Sequence, residues 1–343
     1  MYELEKLGYH SIFEKPTHSN YRMGRVATHS NGIYKILSPQ GEFHSQCSGK
    51  FYHQVEESRD LPCVGDWVLF EPLLNEGKGI IHKVLQRHSL LSRHGAGEKK
   101  AEQLMAANVD IVFLVNGLNE FNLRRMERYL VQVYESGATP IFILTKRDLC
   151  EDVEAKVKAV EEIAWGVPIL VIDTRNDSME PIKGYLSPGK TGALIGSSGV
   201  GKSTLINRLI GEDIQKTQGI REVDAKGRHT TTHRELFLLP DGGVLIDTPG
   251  MRELQLWSGE ESANETFQDI LTLSQNCKFR DCHHEQEPGC AIKQAIENRQ
   301  LTKERYNSYQ KLQRETKFLD LKDKYGTHHA TRIQVKDIRK KKK

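Results

Sequence analysis

Gly196-Ser197-Ser198-Gly199-Val200-Gly201-Lys202-Ser203 fits the pattern G-x-x-x-x-G-K-[ST] without a gap. The apolar run 191–195 before it reads as a strand, and the residues from Gly201 read as a helix. This is the setting in which the pattern grips phosphate. Its glycines let the backbone turn so that N–H groups converge on an anion, and the helix N-terminus adds partial positive charge. Lys202 is then placed to reach β- and γ-phosphates. The Ser203 hydroxyl is placed to bind Mg²⁺, with Thr204 beside it. Asp247-Thr248-Pro249-Gly250 follows 45 residues after Lys202, just past the apolar stretch 244–246. An Asp at a strand end beside a phosphate loop holds Mg²⁺, usually through water. A Gly three residues later brings a backbone N–H to the γ-phosphate. The chemistry implied is that of a nucleoside triphosphate with Mg²⁺.

Thr145-Lys146-Arg147-Asp148 follows a third apolar stretch, 140–144, and resembles the N-K-x-D motif of GTPases. There the carboxylate accepts hydrogen bonds from the guanine N1–H and 2-amino groups, which adenine lacks, and the Lys stem packs along the base. Thr145 stands in place of Asn, so one loop-bracing hydrogen bond is expected to change. Gly227-Arg228-His229-Thr230-Thr231-Thr232 lies between the phosphate-loop helix and the DTPG turn. Its threonines offer a hydroxyl and a carbonyl to Mg²⁺ and the γ-phosphate, with Thr231 the candidate and Thr230 and Thr232 its rivals. Where Ras-like enzymes often carry a water-orienting Gln after D-x-x-G, this chain has Met251, which cannot make those hydrogen bonds. The fifth GTPase motif, usually Ser-Ala, is expected after 168–172. Asp173-Thr174 stands there instead, and that contact has no assigned residue.

Three of the six cysteines cluster as Cys277-x₄-Cys282-x-His284-x₅-Cys290. With no secretory signal, such clustering points to metal in a reducing compartment. Three thiolates and one imidazole complete a tetrahedral, structural zinc site. His283 is an alternative to His284. The spans are short and the loop looks poor in apolar core, so the metal is expected to supply much of its folding free energy.

The order of these motifs is unusual: base reader, then phosphate loop, then DTPG. An ordinary small GTPase begins with the phosphate loop, so this order is a circular permutation, which nearby chain termini allow. Permuted order together with a C-terminal Cys/His cluster resembles the ribosome small subunit-dependent GTPase A family over nearly the whole chain. That resemblance implies an N-terminal OB domain, a central GTPase and a C-terminal zinc domain. It implies GTP hydrolysis that times binding to the small (30S) ribosomal subunit and its rRNA during late maturation. It also implies His229 as a catalytic residue of switch I and His284 as the zinc ligand.

Elements able to hold these residues are visible along the chain. Its 343 residues are 37% hydrophobic and 28% charged, enough for more than one core. No apolar run approaches the roughly 18 residues of a membrane helix, so no membrane partner is expected. The start MYELEKLGYH lacks the basic and apolar regions of a secretory signal. A cytoplasmic monomer is expected. Five short β segments (25–28, 32–37, 49–53, 65–70 and 79–85) suit an OB-like barrel, with an SH3-like barrel as alternative. Trp67 reads as barrel core. Alternating strands at 109–115, 140–144, 168–172 and 191–195, with helices at 122–135, 151–164 and from 201, predict an open α/β sheet. A hairpin is expected around Asp241-Gly242-Gly243, and one helix over 291–325. The fold class is therefore multidomain: barrel (1–100), permuted P-loop GTPase (101–257) and a mostly helical zinc domain (258–343).

Residues 301–343 hold 14 Lys/Arg against 5 Asp/Glu, a net of +9, while the first 300 residues net −6. A basic tail on an acidic body favours a polyanion such as RNA. Residues 251–276 alone join DTPG to the metal cluster, so γ-phosphate contact at Gly250 is expected to reorient the zinc domain. Two other functions fit: a GTP-regulated rRNA-binding module with little turnover, which Met251 favours, and a paralogue acting on another RNA.

Overall fold

The computed structural model describes residues 2–9, 20–94, 102–211, 234–248, 266–284, 287–326 and 332–333. His229, Thr231, Gly250 and Met251 lie outside them.

Strands β1 (Arg22–Ser30), β2 (Ile33–Ser38), β3 (Gly41–Cys47), β4 (Trp67–Leu73) and β5 (Lys78–Val84) form a closed barrel. The pairing runs β1-β2-β3-β5-β4 and returns to β1, with β3 and β5 parallel. This is the five-stranded arrangement of an OB-fold. Val26, Tyr34, Ile36, Phe43, Val68, Phe70 and Ile81 fill it, and Trp67 is fully buried.

One strand expectation fails. Residues 49–53 were expected as strand, but Gly49–Gln54 is helix α1, with the Ser48 side chain accepting from Phe51 N at 3.1 Å. The third strand is 41–47, whose alternation is perfect in burial but hidden in composition. Its inward residues are Phe43, Ser45 and Cys47, so only one bulky apolar side chain marks the core face. A hairpin of β6 (Leu90–His94) and β7 (Glu102–Ala107) was likewise not expected.

Five strands are parallel: β8 (Ile111–Gly117), β9 (Thr139–Thr145), β10 (Ile169–Ile172), β11 (Thr191–Ile195) and β13 (Val244–Asp247). Antiparallel β12 (Glu235–Leu238) completes the expected hairpin. The order is β10-β9-β8-β11-β13-β12, so β11 is inserted between β8 and β13. The continuous apolar runs are what a sheet covered on both faces requires. Thr28 pairs with Glu235, which joins barrel and sheet edge to edge. Buried Arg25 braces that junction. It donates to the carbonyls of Leu7, Gly65 and Asn108 and to Thr191 Oγ1. Burial pulls its pKa down to about 10.

Helices α2 (Leu123–Ser136), α3 (Val153–Ile163), α4 (Glu180–Lys183) and α5 (Lys202–Ile210) connect the parallel strands. Asn122 caps α2, its Oδ1 accepting from Arg125 N at 3.1 Å, and Gly137 at φ +81° ends it. The described chain divides into two compact units. One comprises 1–121, 136–158 and 166–254, and the other 122–135, 159–165 and 255–343.

In the second unit, α6 (Gln268–Ser274), α7 (Ala291–Glu297) and α8 (Lys303–Tyr325) supply most of the core. The single helix expected over 291–325 is broken. Arg299 adopts φ +58°, Gln300 N and Leu301 N both close on Ala295 O, and Thr302 Oγ1 accepts from Arg305 N to start α8. Arg305, 8% exposed, is held by Glu127 and by both oxygens of Asp269, at 2.8–2.9 Å. Its guanidinium lies 4.6 Å from the Phe267 ring centre.

Near the end of α2, burial pushes the Glu135 carboxyl up to about 7, and its Oε1 has no hydrogen-bond partner among the described residues. A raised carboxyl pKa favours the folded state below the ordinary value near 4.5. That advantage disappears as pH rises through about 7. Glu135→Gln is therefore expected to unfold like the native protein at pH 4 but to be more stable by about 1–3 kcal/mol at pH 8. Urea denaturation at the two pH values checks this, and an equal gap at both would refute it.

Candidate functional site

The carboxyl ends of the parallel strands form the edge at which open α/β sheets take ligands. Register puts Gly117 opposite Thr145, Thr145 opposite Ile172, and Leu194 opposite Asp247. The phosphate loop leaves β11 at this edge. Gly196 is obligatory, because a Cβ there would stand 2.2 Å from Val115 O. Gly199 (φ +81°) and Gly201 (φ +98°) take the left-handed turns that lead into α5. Lys202 Nζ donates to the carbonyls of Gly196 and Ser197, both at 2.7 Å. The loop therefore curls around an ammonium at a helix N-terminus, an electropositive cradle. Ser197 Oγ is buried with no partner among the described residues. Ser198, Ser203 and Thr204 are exposed, and Val200 is buried.

Asp247 ends β13. Burial pushes its carboxyl up to about 6, with Glu235 adding to the rise and Lys202 opposing it. A carboxylate that pays for desolvation in this way is well suited to a divalent cation, which restores the lost stabilisation. The Thr248 hydroxyl donates to Leu194 O at 2.8 Å and fixes the exit of the strand. Asp247 and Ser203 thus fit Mg²⁺ accompanying a nucleotide.

The segment Thr145–Asp148, expected to read the base, is braced at its first residue. Thr145 is fully buried, and its hydroxyl lies 2.7 Å from Val200 O and 3.3 Å from Asn116 O. The bond to Val200 ties the end of β9 to the phosphate loop. Lys146 then turns at φ +58°, its stem running past Gly117, where an added Cβ would stand 3.5 Å from Lys146 Cδ. Asp148 is exposed on the short turn Arg147–Leu149.

The loop after β10, where Asp173-Thr174 was noted without a role, adds Asn176 and Asp177, which sequence reasoning missed. Arg147 pairs with Asp177 at 2.8 Å, and Asp177 accepts from Asp173 N. Asp173 accepts from Arg175 N and Asn176 Nδ2, and Arg208 of α5 donates to Thr174 O at 3.0 Å. Thr174 Cγ2 lies 3.4 Å from where a Gly201 Cβ would be. This loop therefore joins base reader and phosphate loop. The D-x-x-x-D spacing was its one sequence signal. Asn116 was also missed. It is 1% exposed, and neither side-chain amide atom has a partner among the described residues.

In the second unit, one ligand atom from each of Cys277, Cys282, His284 and Cys290 lies within 4.8 Å of the others. His284 Nδ1 is 3.5 Å from Cys277 Sγ and 3.3 Å from Cys290 Sγ. Tetrahedral zinc, with bonds of about 2.3 Å to sulfur and about 2.0 Å to nitrogen, needs edges of roughly 3.5–3.8 Å. The donor set fits. His283 is not part of it, and its backbone N–H donates to Glu287 Oε1 instead. The loop was expected to have little apolar core of its own, and the apolar residues its cysteines pack on come from outside it. Cys290 is 2% exposed and packs with Phe267, Ile270, Ile292, Tyr306 and Tyr309, with Cys277 and Cys282 against the same cluster.

Residues 84–257 match the family model described as RsgA GTPase. The chain is 44% identical over 301 residues to the small ribosomal subunit biogenesis GTPase RsgA 2 of Lactiplantibacillus plantarum, covering 87% of this chain and 84% of that protein. It is 42% identical over 341 residues to the protein of the same name from Listeria monocytogenes, covering 98% and 96%. Among solved structures it resembles YjeQ from Thermotoga maritima, with TM-score 0.64, 29% identity, and 86% and 98% coverage. It also resembles YloQ, described as a circularly permuted GTPase, with TM-score 0.61, 27% identity, and 89% and 98% coverage.

Proposed function

Because the chain belongs to the RsgA GTPase family, we propose that its GTP hydrolysis is coupled to the small (30S) ribosomal subunit during late maturation. GTP cleavage to GDP and phosphate then times binding and release. The observation that carries this reading is the 44% identity over 301 residues to a small ribosomal subunit biogenesis GTPase, and the Thr145–Val200 hydrogen bond supports its nucleotide half. That bond couples the turn that would recognise guanine to the loop that would hold its phosphates.

In this reading Asp148 selects guanine and Lys146 lies along it. Residues 196–204 cradle the phosphates, and Lys202 moves from its own loop carbonyls onto the β- and γ-oxygens. Ser203, Asp247 and Thr231 would hold Mg²⁺, which neutralises the phosphate charge when bound. Gly250 would offer its N–H to the γ-phosphate, and His229 would act on the attacking water, since Met251 cannot. Asp173 and Thr174 fill the place of the fifth GTPase motif. The segments 1–100, 101–257 and 258–343 would act as barrel, GTPase and zinc domain in a cytoplasmic monomer. One structural zinc would be held by Cys277, Cys282, His284 and Cys290. The barrel and basic tail would meet rRNA through phosphate contacts.

The test is GTP hydrolysis by the full chain, alone and with purified small or large subunits. Stimulation by small subunits only is the expected result. Equal rates in all three reactions would sink the reading.

A further inference from the structure

Between the first two ligands of the Cys/His cluster the chain exposes Lys278, Phe279 and Arg280 in succession. Phe279 is 41% exposed, although the flanking Cys277 and Cys282 both pack on an apolar cluster. The loop is tightly held. Lys278 N donates to Gly289 O at 3.1 Å, and Cys282 N donates to Phe279 O at 3.3 Å. Gly289 turns at φ +74°, and a Cβ there would press on Lys278 Cβ at 3.1 Å. The Lys278 ammonium stands 5.7 Å from the Phe279 ring centre, within cation–π range. Asp281, Glu285 and Glu287 are the acidic residues of this loop, and Glu287 accepts from His283 N.

We propose that Phe279 is a stacking platform for an unpaired RNA base, with Lys278 and Arg280 engaging the flanking phosphates. This rests on the small-subunit reading and adds which side chains touch RNA and in what manner. A phenyl ring can stack on any unpaired base, and RNA recognition favours such bases on aromatic side chains beside cations. A loop pinned at both ends by metal ligands loses little freedom on binding. A protein partner would want a contiguous apolar patch. Here the single exposed ring is flanked by cations, and residues 301–343 carry net +9. Both features favour a polyanion.

The test uses the full chain with its zinc content and melting temperature verified. Binding is measured to purified small subunits and to a short single-stranded purine RNA. Phe279→Ala is expected to weaken both about 5- to 100-fold, Phe279→Trp to retain them, and GTP affinity to stay unchanged. Lys278→Ala with Arg280→Ala is expected to lower the salt slope of binding by about 2, which Phe279→Ala leaves unchanged. Native RNA affinity in Phe279→Ala would overturn the proposal and leave the small-subunit reading standing. Weakened subunit binding with unaltered RNA binding would also overturn it, placing Phe279 against protein. If the native chain does not bind small subunits, the broader reading fails, and the RNA arm alone decides the role of Phe279.

Discussion

Asp148→Asn is expected to lower affinity for Mg²⁺·GTP by about 10²- to 10⁴-fold and to raise affinity for xanthosine triphosphate. The carboxylate would accept from guanine N1–H and the 2-amino group together, and each charge-assisted bond is worth about 1.5–3 kcal/mol. Asparagine keeps one acceptor but sets an N–H₂ donor against a guanine donor, leaving both unsatisfied. Xanthine carries a carbonyl at that position and accepts from the new amide. ATP should bind both proteins equally poorly. Asp148 is exposed on its turn, so the change should leave folding intact. Calorimetry with the three triphosphates would check this, and an unaltered GTP preference would remove Asp148 from the site.

Losing the metal should have the larger structural effect. Cys290→Ser is expected to reduce bound zinc from one per chain to near zero and to destabilise the second unit by several kcal/mol. Structural zinc contributes about 10–16 kcal/mol in small finger peptides. Part of that is offset here, because Cys290 sits in an apolar cluster that does not depend on the ion. Removing one thiolate also leaves the other ligands crowded within 4.8 Å. Elemental analysis and hydrogen exchange across 267–312 would read the result. GTP binding should persist, because Lys202 and Asp148 belong to the other unit. Cys150→Ser, outside the cluster, is the control. Full zinc and unaltered exchange in Cys290→Ser would refute the ligand assignment.

Much of the site was legible because its requirements are local. Gly196, Gly199 and Gly201 stand where the loop tolerates no side chain or turns left-handed, and such needs leave a fixed spacing in the sequence. The apolar runs at β8, β9, β11 and β13 were legible because sheets covered on both faces bury every residue. The third barrel strand was not, because Ser45 occupies an inward position. The break at 298–302 was missed because it uses a left-handed Arg299 rather than a glycine or proline.

Residue spacing by itself determined the phosphate loop, the permuted motif order and the cysteines of the metal cluster. Each depends on chain neighbours or on side-chain chemistry that no partner can replace. Tertiary structure alone decided that Thr145 braces Val200 and that the Asp173–Asp177 turn bridges base reader and phosphate loop. It also decided that Arg25 is buried at the junction of barrel and sheet. These contacts join residues as far as 166 positions apart. They arise from strand register and burial, which local sequence does not encode.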